Sequence, residues 1–248
     1  MYRGERVVYK TKIIHMVFRT TIFYSLLSLW TLFLGLLCLP FLLFPSQYLR
    51  FPTLIWIKGI FLLLEYVCGI THEIRGLKNI PNEPVIIVSK HQSAFETFAL
   101  FYYFKNSFFI HKKQLFFIPI FGQYLMKSNM VAIDRRGGTK TMRKILRETK
   151  KRLDNGFSII IFPEGTRKKP GDLPDYKTGF IGIYNEAKRK LLPVALNSGL
   201  CWPKHTLVMQ KGHIIIDFQP PLSNNLSRNE VLDKVRASIE SATNRLFV

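Results

Sequence analysis

Two short segments of this sequence hold residue types that could do chemistry together. In Lys90-His91-Gln92-Ser93-Ala94-Phe95-Glu96, an imidazole and a carboxylate stand five positions apart. A carboxylate that holds one ring nitrogen of a histidine leaves the other nitrogen free to take a proton, which is the arrangement of a general base and its orienting group. Five residues do not share one face of a regular helix, so the pairing requires His91 on a turn and Glu96 in the first helical turn. Ser93-x-x-Glu96 also reads as a capping box, in which Glu96 accepts from the Ser93 backbone N–H. The two readings are compatible.

The second segment is Phe162-Pro163-Glu164-Gly165-Thr166-Arg167. Gly165 permits close backbone approach, Thr166 offers a hydroxyl and Arg167 a fork of donors suited to phosphate. Alone, these residues would equally make a plain β-turn with exposed charges. No Gly-x-Ser-x-Gly elbow singles out a nucleophilic serine. No P-loop and no dinucleotide-binding glycine pattern is present.

Both segments follow apolar runs that read as strands. Runs rich in Val, Ile and Phe lie at Val85–Ser89, Phe108–Ile110, Met130–Ile133, Phe157–Phe162, Leu192–Leu196, Leu207–Gln210 and Ile214–Phe218. Helical patterns alternate with them. Thr139–Leu153 places Met142, Ile145, Leu146 and Leu153 on one face, and Arg228–Phe247 does the same with Val231, Leu232, Val235 and Ile239. The predicted fold is α/β, with a mixed, largely buried sheet flanked by helices, and the ends of such strands are where binding crevices form.

The chain has 248 residues, of which 48% are hydrophobic and 21 are Phe, which excludes a disordered chain. Its three cysteines, Cys38, Cys68 and Cys201, form no C-x-x-C pair, so neither a disulfide scaffold nor a zinc site is expected. His15, His72, His111, His205 and His213 show no metal-like grouping. Between Arg19 and Arg50 there is no charge, and residues 22–44 as a helix would span about 34 Å, near the thickness of a bilayer core. This run is too long for a signal-peptide core and lacks a cleavage site. A second apolar stretch, Leu54–Ile70, carries only Lys58 and Glu65. With Pro40, Pro45 and Pro52 between the stretches, residues 1–70 read as a two-helix membrane-associating region, either spanning or dipping into one leaflet. Residues 71–248 read as the folded domain. Arg3, Arg6, Lys10, Lys12 and Arg19 favour a cytoplasmic N-terminus.

KHQSAFE, then IDRR, FPEGTR and LPVALNSG, in this order and spacing, resemble the glycerolipid acyltransferase family, and within it the bacterial 1-acyl-sn-glycerol-3-phosphate acyltransferases. The resemblance covers about residues 60–220. Its His-x4-Asp motif falls on His91 and Glu96, its second-block arginine on Arg135, its third block on Phe162–Arg167, and its fourth on Leu192-Pro193-Val194. Two departures stand out: Glu96 is one methylene longer than the usual Asp, and Lys168 replaces the usual Ser. The resemblance implies that residues 71–248 are a catalytic domain. It would move a fatty acyl group from acyl-CoA or acyl-acyl carrier protein to the sn-2 hydroxyl of lysophosphatidic acid, at the cytoplasmic side of a bacterial inner membrane. His91 and Glu96 are then catalytic. Arg135, Glu164, Gly165, Thr166 and Arg167 line the phosphate and glycerol site, with Glu164 placed to position Arg167 or a glycerol hydroxyl. No cofactor or metal is implied beyond the acyl donor.

The formal net charge is +20, from 36 Lys+Arg against 16 Asp+Glu. Much of it lies between Arg135 and Arg152. With the apolar residues turned inward, the basic ones face solvent, and anionic lipid headgroups are the favoured partner, with an acidic carrier protein or the phosphates of CoA able to use the same field. Two alternatives remain: acylation of another lysolipid, such as a lyso-ornithine lipid, and a non-catalytic, membrane-tethered nucleic-acid-binding protein. The charge permits the latter, but no nucleic-acid-binding signature is present, and no nucleic acid is expected as a partner.

Overall fold

The computed structural model describes residues 3–133, 138–204, 206 and 208–247. The first helix, α1 (Arg3–Leu37), is longer than the uncharged run alone suggests, because no proline interrupts the chain before Pro40. Four of the hydroxyl side chains in its apolar stretch bond to their own helix. Thr20, Thr21, Ser28 and Thr31 each donate to the carbonyl four residues back, at 2.7–2.9 Å, so none presents an unpaired hydroxyl to lipid. Short 3₁₀ turns at Leu39–Leu43 and Ser46–Leu49 accommodate Pro40 and Pro45. Helix α2 (Arg50–Leu63) takes Pro52 in its first turn, where no N–H is missed. It runs on as a π turn, Leu64–Cys68, and stops at Gly69, whose φ of 64° is the left-handed conformation glycine adopts without strain. Indole N–H groups tie the two helices: Trp30 donates to the Trp56 carbonyl at 3.1 Å and Trp56 to Thr31 Oγ1 at 2.9 Å.

Ile13–Leu37 and Ser46–Cys68 are long and apolar enough to cross a membrane. Phe18, Leu29, Phe33, Leu43, Phe44 and Phe51 are all exposed on this region. Such continuous apolar surface is not left to water, and the chain is membrane-associated.

The remaining elements are β1 (Ile70–Arg75), β2 (Ile86–Ser89), α3 (Phe95–Tyr103), β3 (Ser107–Lys112), α4 (Phe121–Lys127), β4 (Val131–Ile133), α5 (Gly138–Asp154), β5 (Ser158–Ile161), α6 (Gly179–Ala187), β6 (Leu191–Leu196), β7 (Gly212–Phe218) and α7 (Arg228–Arg245). The strands form one seven-stranded sheet in the order β1-β7-β6-β2-β5-β3-β4. Every neighbouring pair is parallel except β6 and β7, so the sheet is mixed, as expected. The central strands IIVS and LLPVAL are buried along their whole length, which is the mark of a sheet covered on both faces.

Alternation along β2 shows what covers each face. Ile87 packs with Phe23 of α1, Ile57 and Ile60 of α2, and Phe95 and Leu100 of α3. Ile86 and Val88 pack with Ile145 and Leu153 of α5, Phe180 and Ile183 of α6, and Val231 and Val235 of α7. The apolar N-terminal helices thus share a core with the sheet.

One strand was not expected from the sequence and one expected strand is corrected. Ile70–Arg75, at the start of the folded domain, is an edge strand pairing in parallel with β7. The expected strand at Leu207–Gln210 does not form. Leu207 lies outside the described residues, and Val208–Gln210 is irregular, with its backbone used elsewhere: Met209 N–H donates to Thr20 Oγ1 of α1 at 3.0 Å and Gln210 N–H to the Cys201 carbonyl at 2.8 Å.

Phe23 is fully buried and meets Trp202 edge to face at 5.6 Å. Phe23→Ala is expected to lower unfolding free energy in detergent by about 3–5 kcal/mol, because the cavity is opened where α1 joins the sheet. Equilibrium denaturation followed by tryptophan fluorescence measures this. A loss below about 1 kcal/mol would mean that α1 is packed loosely there.

Candidate active site

The chain leaves β2 at Ser89 and turns sharply before α3, and the turn is fastened on both sides. Lys90 N–H donates to the Val194 carbonyl of β6 at 3.0 Å, and Lys168 N–H donates to the His91 carbonyl at 2.8 Å. The second fastening brings the segment after Phe162 against His91. The Phe162 ring stacks on the imidazole at 4.0 Å with 15° between planes.

Glu96, in the first turn of α3, is fully buried and reaches back to the turn. Its Oε1 accepts from His91 Nδ1 at 2.9 Å, from Gln92 N–H at 2.6 Å and from Ser93 N–H at 2.8 Å. Its Oε2 accepts from Ser93 Oγ at 2.8 Å and from Ser198 Oγ at 2.7 Å. Burial alone would push this carboxyl up. The His91 contact, followed by Ser198 and Ser93, outweighs burial and holds it below the usual carboxylate range. An ionised Glu96 is acceptor-only, so Nδ1 carries the proton and Nε2 is the basic nitrogen. Nε2 has no partner among the described residues, and His91 lines a cavity of about 540 Å³.

The sequence reading of Ser93 is modified. Its N–H does bond Glu96, but its hydroxyl is not a helix cap in the reciprocal sense: it donates to Glu96 Oε2 and accepts from Phe95 N–H, with Ala94 at the N-cap. A reciprocal capping box is present at Ser227 and Glu230 of α7.

Gly165 holds a φ of 66° in the turn after β5. Thr166 is exposed and accepts from Lys204 Nζ at 2.8 Å. Arg167 is half-buried, with no carboxylate within ion-pairing distance among the described residues. Glu164 lies behind His91: its Oε1 accepts from His91 N–H at 3.1 Å and faces Lys90 Nζ at 3.7 Å. Burial pushes this carboxyl up, against the opposing pull of Lys90 and the His91 N–H. It makes no ion pair with Arg167 among the described residues. Arg135 lies outside the described residues.

Three contributions escaped the sequence reading. Ser198 comes from the turn after β6, inside the LPVALNSG block that carries no obvious donor signal. Lys204 was unmarked. Lys90, adjacent to His91 yet 3% exposed, donates to Glu240 of α7 at 2.7 and 3.0 Å, and Tyr176 OH donates to the same carboxylate at 2.8 Å. Burial, and then the Glu240 charge, push the Tyr176 phenol up, so it stays a donor.

An imidazole with one nitrogen held by a buried carboxylate and the other open, at the wall of a largely apolar cavity, has the geometry to accept a proton. The comparisons name the class. Residues 71–197 match the family model described as Acyltransferase, and the chain belongs to that family. It is 35% identical over 207 residues, 82% of this chain and 80% of the relative, to the 1-acyl-sn-glycerol-3-phosphate acyltransferase of Pseudomonas aeruginosa. It is 27% identical to the enzyme of the same name from Saccharomyces cerevisiae, over 70% of this chain and 60% of the relative. The fold matches the crystal structure of the 1-acyl-sn-glycerophosphate acyltransferase PlsC from Thermotoga maritima, with a TM-score of 0.77 over 96% of this chain and 98% of that one, at 23% identity.

Two outcomes follow from this geometry. A carboxylate held low in the folded state contributes stability above its unfolded value of about 4.3, and that stability is lost as pH falls through the folded value. Denaturation between pH 3 and 7 should therefore show an acid loss in the wild type that is shallower in Glu96→Gln. Glu240→Ala, which leaves the buried Lys90 ammonium with only the longer Glu164 contact at 3.7 Å, should cost up to about 3–5 kcal/mol, and pairing it with Lys90→Met should recover part of that. A double variant no more stable than Glu240→Ala would show that the ion pair is not the stabilising contact.

Proposed function

We propose that this protein transfers a fatty acyl group from a thioester donor to the sn-2 hydroxyl of 1-acyl-sn-glycerol-3-phosphate, giving phosphatidic acid. The observation that carries the reading is the His91–Glu96 pair, with the free Nε2 beside a largely apolar cavity. His91 Nε2 removes the hydroxyl proton as the oxygen attacks the thioester carbonyl. Glu96 keeps the imidazole in the Nδ1–H tautomer and stabilises the imidazolium. The carbon–sulfur bond then breaks, and the departing thiolate takes the proton back from His91. The substrate hydroxyl is itself the nucleophile, so the chemistry needs no acyl-enzyme.

The cavity is lined by Trp56, Phe98, Phe101, Phe109, Leu125 and Phe180, among others, and its size suits the burial of an alkyl chain. Thr53, Trp56 and Ile57 of α2 form part of the wall, which supports a site that lies at the membrane surface, where the lysolipid resides. Arg167, Thr166 and Lys204 supply donors for the glycerol phosphate, with Arg135 assigned to the same task by the family motif. A one-leaflet insertion of α1 and α2, with the domain on the cytoplasmic side of a bacterial inner membrane, fits the prolines between the helices and the basic residues before them.

The test is a panel of lysolipids assayed with the full chain in lipid nanodiscs, with acyl-CoA as donor. Transfer to lysophosphatidic acid is expected to dominate. His91→Ala should reduce kcat by about a hundred- to ten-thousandfold. Arg167→Ala should raise the apparent KM for the lysolipid by about ten- to a hundredfold, the worth of one lost charged hydrogen bond. Preference for a lysolipid without phosphate, or near-normal turnover by His91→Ala, would overturn the reading.

A further inference from the structure

We infer that the outer face of α5 is the docking surface for an acidic acyl carrier protein, which delivers its acyl chain as a thioester; the inference rests on the acyltransferase reading above. Lys140, Lys144, Arg147 and Lys151 recur at helical spacing and are exposed, forming one line about 16 Å long with Arg143 beside it. The carboxylates of the helix neutralise little of this line: Glu148 reaches one member, Arg147, at 3.8 Å and at the exposed end of the side chain. Glu148 is paired with Arg152 at 2.9 Å, and Asp154 with Lys150 at 2.8 Å and Arg189 at 3.3 Å. Lys140, Arg143, Lys144 and Lys151 make no ion pair among the described residues. The opposite side of the same helix is apolar, so the cations are concentrated in one narrow strip.

Two features favour a water-soluble acidic partner over lipid headgroups. The first is placement. The exposed apolar helices α1 and α2 cover one face of the sheet, and α5 packs on the other through Ile145 and Leu153. The sheet therefore stands between the membrane helices and the helix that carries the strip. The second is proximity to the reaction. Met142 and Ile145, on the inner side of α5, wall the same cavity that His91 walls. Strip and cavity are separated by the width of one helix, about 10–12 Å. A carrier held on the strip would have its thioester arm beside the cavity, whereas acyl-CoA, being small, needs no such surface. Charge complementarity of this kind acts mainly on encounter rate and is weakened by salt.

The experiment compares the full-length wild type with the triple variant Lys140→Glu, Lys144→Glu, Lys151→Glu. Initial rates on lysophosphatidic acid are measured with palmitoyl-acyl carrier protein and with palmitoyl-CoA. Direct binding of the carrier protein and co-sedimentation with phosphatidylglycerol vesicles are measured alongside. The expected result is a fall of about tenfold or more in kcat/KM for the carrier donor and in carrier affinity, with the CoA reaction within about twofold of wild type. Loss of carrier binding in the wild type at high salt should match the variant. Equal loss with both donors, together with loss of vesicle binding, would make the strip a membrane face and overturn the inference. So would unchanged carrier binding in the variant, or a wild type that uses palmitoyl-CoA but neither binds nor uses the carrier. If neither donor supports transfer, the proposed function fails, and carrier binding by wild type against variant decides the docking surface.

Discussion

A carboxylate removed from water must find all its donors inside the protein, and Glu96 finds them in five groups drawn from two places in the sequence. Ionised and unpaired, it would cost many kcal/mol; fully satisfied, it becomes a fixed negative charge at one position. The rest of the site depends on that fixity. His91 takes its tautomer from Glu96, and the turn between them takes its shape from the Gln92 and Ser93 N–H groups that point at Oε1. Ser198 reaches Oε2 only because β6 lies next to β2, so the sheet register is itself a condition of the site's geometry.

A second buried charge stabilises the turn from beneath. Lys90 could have been an ordinary surface lysine, but its ammonium lies among Glu164, Glu240 and, through Glu240, Tyr176. The turn that exposes His91 is therefore linked to α7 and to the segment before α6. The other face of the sheet contributes through packing rather than charge, with Phe23, Ile57 and Phe61 carrying the N-terminal helices into the core beside Phe95. Membrane attachment and site geometry are joined there by ordinary apolar contacts.

The parts of this arrangement visible in the sequence are the local ones. His91 and Glu96 are five residues apart, and the strands IIVS, SIII and LLPVAL are apolar runs that a covered sheet requires. What could not be read is long-range. Ser198 is 102 positions from Glu96, and Glu240 is 150 positions from Lys90, and no local pattern marks such pairs. Edge strand β1 was hidden because ITHEIR carries His, Glu and Arg, as an edge can, and so lacks the apolar run of a central strand. Val208–Gln210 misled for the opposite reason: it is an apolar run, but the N–H groups of Met209 and Gln210 go to Thr20 of α1 and to the Cys201 carbonyl instead of to a neighbouring strand. Ser93-x-x-Glu96 satisfied a capping pattern because the same two side chains, at the same spacing, serve a buried carboxylate.

Among the described residues strand β1 has one sheet partner, and that partner is β7, 142 residues further on in register. During synthesis the two apolar helices leave the ribosome before the sheet and can meet the bilayer as a unit, since the Trp30 and Trp56 contacts are made within them. The sheet cannot close over their inner face until β7 has been made, and Lys90 has no full complement of partners until α7 follows. At about 5–20 residues per second this interval is on the order of ten seconds or more. Through that time, the growing chain holds a pair of apolar helices whose inward side, Phe23, Ile57, Ile60 and Phe61, has no sheet to cover it. The membrane with which the finished protein associates is then also the apolar surface that can shelter the half-made one.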